Sequence, residues 1–208
     1  ISDWMEQAEW ISGAHTAGRN AVHHKSNREM DQQSEQWKKI NSLVVSTLYS
    51  NSVFQRTALP LKVSAAFVAR YTSGQAYGKH IDDPVMGTPG ARYRSDIACT
   101  VFLSDKSDYD GGELTIHSDF GINTIKLDQG SAVLYPASSL HEIAAVTRGV
   151  RTVCVLWVQS LIRDTQKRDI LAELGDARDA LNLQLPEAKV THSVDVAYTN
   201  LVRLWAEV

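Results

Sequence analysis

His80 and Asp82 stand one residue apart, His141 follows 59 positions after Asp82, and Arg151 comes ten positions after that. Side chains alternate along an extended chain, so a His-x-Asp pair presents an imidazole and a carboxylate on one side. A second histidine downstream could complete a 2-His-1-carboxylate triad, which holds one face of Fe(II) and leaves three positions open. Arg151 adds a permanently charged fork able to grip a carboxylate in bidentate fashion. Together the four residues describe an iron site beside a docking point for a dicarboxylic cosubstrate.

Spacing alone is weak evidence, because seven His and fifteen Asp in 208 residues give about 0.5 His-x-Asp pairs by chance. The chain holds a second copy, His117-Ser118-Asp119. There the histidine closes the strand-like Leu114-Thr115-Ile116 and enters a turn-rich Ser118-Asp119-Phe120-Gly121, a pattern of hairpin chemistry. The copy at His80 follows a Gly/Tyr-rich entry and precedes most of the strands, which makes it the better candidate.

The elements that must position these residues divide the chain. Residues 3–12 read as a short helix stopped by Gly13, and the polar stretch after Ala17 carries His23-His24, expected to be a solvated pair. From about residue 32 to 50, Trp37, Ile40, Val44, Val45 and Leu48 recur at spacings of three and four, an amphipathic helix that would lie on a sheet. After Leu59-Pro60 the period changes. Residues 63–71, 80–82, 97–103, 113–117, 123–127, 131–135, 141–146 and 151–158 make eight candidate strands with no helices between them. The fold expected is mainly β with flanking helices, a double-stranded β-helix (jelly roll) of eight core strands in two facing antiparallel sheets.

This layout predicts an N-terminal helical segment over 1–60 packing on the barrel, the barrel core over 61–160, and a C-terminal helical segment over 161–208. The last helices, 168–174 and about 194–205, could pack on the barrel or form a homodimer. In the final strand Arg151, Val153, Val155 and Trp157 share one face, so Trp157 points inward if Arg151 does, with core filling its plainest role. Residues 83–94, with two Pro and two Gly, read either as a lid beside the site or as a surface crossover.

Hydrophobic residues at 43% and a net charge of −3 suit a globular protein and give no reason to expect nucleic-acid binding. No apolar run approaches the roughly 20 residues that cross a bilayer. The start lacks a basic segment followed by an apolar stretch, which predicts no signal peptide, and Ile1 in place of Met predicts a trimmed short leader. Cys99 and Cys154 each lie in an apolar β-branched run and read as reduced core thiols of a cytoplasmic protein.

Further motifs run in order along the chain: Tyr71-x-x-Gly74-x-x-Tyr77-x-x-His80-x-Asp82, Arg94-x-Asp96, Thr100-x-Phe102-Leu103-Ser104, Tyr109-Asp110-Gly111-Gly112-Glu113-Leu114, Leu134-Tyr135-Pro136, Ser139-Leu140-His141, Val146-Thr147-Arg148-Gly149-x-Arg151 and Trp157-x-Gln159-Ser160. This series resembles the PKHD-type hydroxylases, of the prolyl-4-hydroxylase-like branch of the iron/2-oxoglutarate dioxygenases, closely over about residues 60–175. Ala98 departs from the serine expected after Arg94-x-Asp96. The resemblance implies Fe(II) on His80, Asp82 and His141, with 2-oxoglutarate held by Arg151 and Tyr71 and substrate lined by Tyr77 and Arg94. It also implies O2 as co-reactant, succinate and CO2 as products, a hydroxylated substrate of prolyl, lysyl or small-molecule type, and ascorbate as an auxiliary reductant. Two other classes compete with this reading. A catalytically silent jelly roll would not need all three ligands and Arg151, and a zinc hydrolase would need a general base that Glu142, pointed away from His141 by alternation, does not supply.

Overall fold

The computed structural model describes residues 1–16 and 24–208. His23 of the expected His23-His24 pair lies outside the described residues. The chain opens with α1 (Ser2–Glu6), β1 (Trp10–Ser12) and β2 (Arg28–Met30), followed by α2 (Glu35–Ser50) and α3 (Ser52–Ala58). The body consists of β3 (Pro60–Val63), β4 (Phe67–Tyr71), β5 (Tyr77–His80), β6 (Val85–Met86), β7 (Tyr93–Arg94) and β8 (Ile97–Phe102). It continues with β9 (Tyr109–Gly111), β10 (Leu114–Ser118), β11 (Gly121–Ile125), β12 (Ala132–Pro136), β13 (Leu140–Ile143), β14 (Val146–Gly149) and β15 (Arg151–Ser160). Two helices close the chain, α4 (Thr165–Gln184) and α5 (Lys189–Trp205).

The strands form a large sheet in the order β1-β2-β4-β15-β8-β12, with β3 also on β15, and a smaller sheet in the order β11-β10-β13-β5. All described pairings are antiparallel. This is the jelly-roll architecture with flanking helices that the pattern predicts. The described residues hold fifteen strands rather than eight, because short strands are added and two expected strands are each broken in two.

The breaks have local causes. Between β3 and β4, Trp157 N–H donates to Ser64 Oγ at 2.9 Å instead of to a backbone carbonyl, and Ala66 N–H donates to Asn41 Oδ1 at 2.8 Å, so this backbone leaves the ladder. The register of β13 on β5 shifts between His141 and Ile143, and β14 pairs with β9 outside the small sheet. The helix expected over 3–12 stops at Glu6, and Trp10–Ser12 is strand β1 instead. Its Trp10 ring sits 5.2 Å from the Arg70 guanidinium and its carbonyl accepts from Arg28. Sheet pairing wins here because a helix this short has little stability of its own.

Alternation along β15 divides the core. Cys154, Leu156 and Val158 face a cluster with Ile40, Val44 and Leu48 of α2, the buried stripe that the helical period picks out. Val153, Val155 and Trp157 face the other cluster, between the sheets, with Ala69, Tyr71, Phe102, Leu114 and Ile143. Each fully buried aliphatic side chain stabilises the fold by about 1.5–3 kcal/mol, so both faces of β15 are fixed by burial. Ser34 caps α2 by accepting from Trp37 N–H at 3.2 Å, and the Trp37 indole donates to the Ala66 carbonyl at 2.8 Å, tying the helix to the sheet. Cys99 and Cys154 are free and buried, with burial pushing both thiols up to about 12. No helix among the described residues is long and apolar enough to cross a membrane.

Candidate active site

His80 on β5 and His141 on β13 are direct cross-strand partners in the small sheet. Their rings are 4.2 Å apart, centroid to centroid. Asp82 lies two residues past His80, beyond the strand's end, yet alternation persists. Ile81 is 58% exposed, whereas the His80 and Asp82 side chains are 8% and 9% exposed. Asp82 Oδ1 stands 3.9 Å from Nε2 of His80 and 3.9 Å from Nε2 of His141. One ligand atom from each of the three side chains falls within 4.8 Å of the others.

The backbone fixes both imidazoles in the same way. His80 Nδ1 donates to the Gly78 carbonyl at 2.7 Å, and His141 Nδ1 donates to the Ser139 carbonyl at 3.0 Å. A carbonyl only accepts, so the proton sits on Nδ1 and each Nε2 offers its lone pair to the common point. Burial pushes His80 down to about 4, with help from His141, so this ring is neutral at physiological pH. The same burial raises Asp82. Tyr77 stacks on His80 at 3.6 Å, and Tyr135 stands edge-on to His141 at 5.2 Å. Two imidazoles and one carboxylate facing an interior point are the donor set that Fe(II) takes.

Arg151 begins β15, opposite Tyr71 of β4. It is 1% exposed, and its Nε, Nη1 and Nη2 all lack hydrogen-bond partners. Its guanidinium lies 5.1 Å from the Tyr71 ring and 5.8 Å from the Phe102 ring. The polar groups that act on it are the phenols of Tyr71, Tyr109 and Tyr135. Tyr109 reaches toward it, but its hydroxyl makes no well-directed hydrogen bond. Burial pushes Tyr71 up to about 12 and raises Tyr135, so these phenols stay protonated and can donate. A buried cation with empty donors, ringed by phenols, is a cradle for a carboxylate. Gly112 makes room for it. At φ +67° it takes a left-handed conformation, and a Cβ there would come within 3.0 Å of Arg151 Cδ.

Tyr135 joins the two halves, since its ring meets His141 and its hydroxyl feels both Asp82 and Arg151. Arg148, the other basic residue nearby, is 64% exposed and pairs with Asp110 at 2.6 Å. His117 faces outward and bonds Glu142 at 2.9 Å, so the second His-x-Asp copy and the would-be hydrolase base occupy each other away from the triad. Arg94 is held by the framework. Its fork takes both oxygens of Asp96 at 2.6 and 3.0 Å, Glu207 at 3.2 Å and the Ser160 carbonyl at 3.3 Å.

Residues 66–159 match the 2OG-Fe(II) oxygenase superfamily. A PKHD-type hydroxylase of Thioalkalivibrio sulfidiphilus is 44% identical over 204 residues, covering 98% of this chain and 91% of that protein. The chain belongs to the PKHD-type hydroxylases. A second PKHD-type hydroxylase, from Escherichia coli, is 38% identical over 98% of this chain and 91% of its own length. Solved structures share the fold at lower identity. One is a prolyl hydroxylase from Trichoplax adhaerens in complex with a hypoxia inducible factor oxygen degradation domain peptide fragment. It has a TM-score of 0.51 and 17% identity, over 82% of this chain and 76% of that one. Another is a 2OG-Fe(II) oxygenase family oxidoreductase from Burkholderia pseudomallei, with a TM-score of 0.52 and 16% identity over 76% and 75% of the two chains. This PKHD-type hydroxylase is therefore a dioxygenase whose family uses Fe(II) and 2-oxoglutarate.

Sequence reasoning gave no role to Tyr109, Tyr135 or Trp157 at this site. Trp157 carried the one usable signal, its shared face with Arg151 on β15. It points inward as that parity requires, and its indole N–H donates to Asp82 Oδ2 at 2.9 Å. Ala98 sits cross-strand to both Trp157 and Tyr135, a small residue between two large aromatic ones.

Proposed function

We propose that this enzyme binds Fe(II) through Nε2 of His80, Oδ1 of Asp82 and Nε2 of His141, and binds 2-oxoglutarate through Arg151 and Tyr71, to hydroxylate a prolyl, lysyl or small-molecule substrate. The observation that carries the reading is the buried Arg151 fork with three unpartnered nitrogens, joined to the His-Asp-His cluster through Tyr135. When bound, Fe(II) and 2-oxoglutarate supply an oxidative decarboxylation to succinate and CO2 that delivers oxygen to a C–H bond.

The chain's own residues do the rest. Arg151 takes the distal carboxylate of the cosubstrate in bidentate fashion, and the protonated Tyr71 phenol adds a donor, which fixes the cosubstrate in register with the triad. Phe102, its ring 5.8 Å from the guanidinium, gives this pocket apolar surface, and the burial of Arg151 keeps water away. Tyr77, stacked on His80, lines the substrate side, and Arg94 supports that side by bracing the β6–β7 hairpin. Two buried free thiols support a cytoplasmic setting.

Anaerobic addition of Fe(II) and 2-oxoglutarate should raise a weak visible charge-transfer band. Asp82→Ala should abolish it, and His117→Ala should leave it. Equal loss in both variants would refute the triad. A peptide and metabolite screen coupled to succinate release would then identify the substrate.

A further inference from the structure

We propose that Trp157 is a positioning residue that restricts Asp82 to ligation through a single oxygen. The proposal rests on the triad reading above. The two carboxylate oxygens of Asp82 have different surroundings. Oδ1 stands 3.9 Å from both histidine Nε2 atoms, facing the point where a metal would sit. Oδ2 accepts the Trp157 indole N–H at 2.9 Å. An oxygen engaged by a donor in a largely buried site is a poorer metal ligand than its free twin, and the carboxylate plane is fixed by the bond. A carboxylate free to rotate could close on the metal with both oxygens and occupy a position that a bidentate cosubstrate and O2 both need.

Trp157 is built to hold this direction. Its backbone N–H donates to Ser64 Oγ at 2.9 Å, and its carbonyl accepts from Ser64 N–H at 2.9 Å. Its ring stands edge-on to Phe67, 5.4 Å away and at 76°. The small Ala98 lies directly across the strand. Core filling alone would be served by phenylalanine, which lacks the N–H. Because Arg151 and Trp157 lie on the same face of β15, one strand aligns both the carboxylate anchor and the donor that orients Asp82.

Co(II), with its visible bands, is the probe for the test. Removing such an outer partner typically costs 10- to 100-fold in metal affinity. Trp157→Phe should weaken Co(II) binding by about that factor and change the intensity of the visible bands as a second carboxylate oxygen reaches the metal. Phe67→Leu loosens the packing of the same ring but keeps the N–H, and should bind Co(II) close to wild type with an unchanged spectrum. Trp157→Phe matching wild type in affinity and spectrum overturns the proposal, as does Phe67→Leu losing as much as Trp157→Phe. If wild type fails to bind Co(II), or Asp82→Ala binds it equally well, the triad reading has failed instead. Should Trp157→Phe not fold, the metal-free protein still decides. Of the indole N–H resonances of its five tryptophans, one should move upfield in Asp82→Ala, and no movement overturns the proposal.

Discussion

His80 and His141 face each other across adjacent antiparallel strands, with both Nδ1 atoms spent on carbonyls two residues upstream. Their Nε2 atoms are therefore aimed at a common point by backbone alone. This preorganisation has an electrostatic cost, since two imidazoles in a buried site cannot both be charged.

The cost should be visible in the stability of the metal-free protein. His80 falls from 6.5 to about 4 on folding, chiefly through burial. The unfolded chain therefore takes up this proton first, so the stability contribution is full above about pH 6.5 and is lost as pH falls toward 4. Asp82, raised by burial, acts in the opposite sense. Between pH 7 and 5 the wild type should lose roughly 1–2 kcal/mol more stability than His80→Gln, measured by denaturant unfolding in chelator. Identical losses would contradict the assignment.

Gly112 should be intolerant of a side chain. Its φ of +67° strains any other residue, and an added Cβ would press on Val146 Cγ2 at 2.9 Å and on Arg151 Cδ at 3.0 Å. Gly112→Ala should cost about 1–3 kcal/mol of stability and also weaken 2-oxoglutarate binding, because Arg151 is displaced. Thermal melting and cosubstrate titration check the two effects. Unchanged affinity in a folded variant would show that Arg151 does not depend on this gap.

The β6–β7 hairpin is anchored at its base, where Arg94 grips Asp96 and Ser95 N–H donates to the Pro84 carbonyl at 3.1 Å, while residues 87–92 are exposed. Its tip should exchange amide hydrogens fast and slow when cosubstrate and a substrate analogue bind. Protection of the tip in the free protein would identify the hairpin as a fixed crossover.

Where one period dominates, the sequence was a good guide. The 3–4 spacing of Ile40, Val44 and Leu48 placed α2, and alternation placed Arg151, Val153, Val155 and Trp157 on the inner face of β15. His117 of the second His-x-Asp copy, read from its turn-rich neighbours as hairpin chemistry, bonds Glu142 at 2.9 Å. What stayed hidden depends on contacts between distant segments. Trp10–Ser12 is a strand only because Arg28–Met30 lies beside it, and β3 ends at Ser64 only because Trp157 N–H turns to the Ser64 hydroxyl. The bond from Trp157 to Asp82 spans 75 residues, and no local pattern announces it.

Arg151 is the proposed cosubstrate anchor, and its direct test is 2-oxoglutarate binding to the Fe(II)-loaded protein, comparing Arg151→Ala with Arg148→Ala. Losing a charge-assisted pair whose partner stays buried costs about 2–5 kcal/mol. Arg151→Ala should therefore weaken cosubstrate binding by roughly 30-fold or more, at about 1.4 kcal/mol per decade, with Fe(II) binding nearly intact. Arg148→Ala, which removes only an exposed pair with Asp110, should change little. If Arg148→Ala shows the loss and Arg151→Ala does not, or if neither variant does, 2-oxoglutarate is not held as proposed.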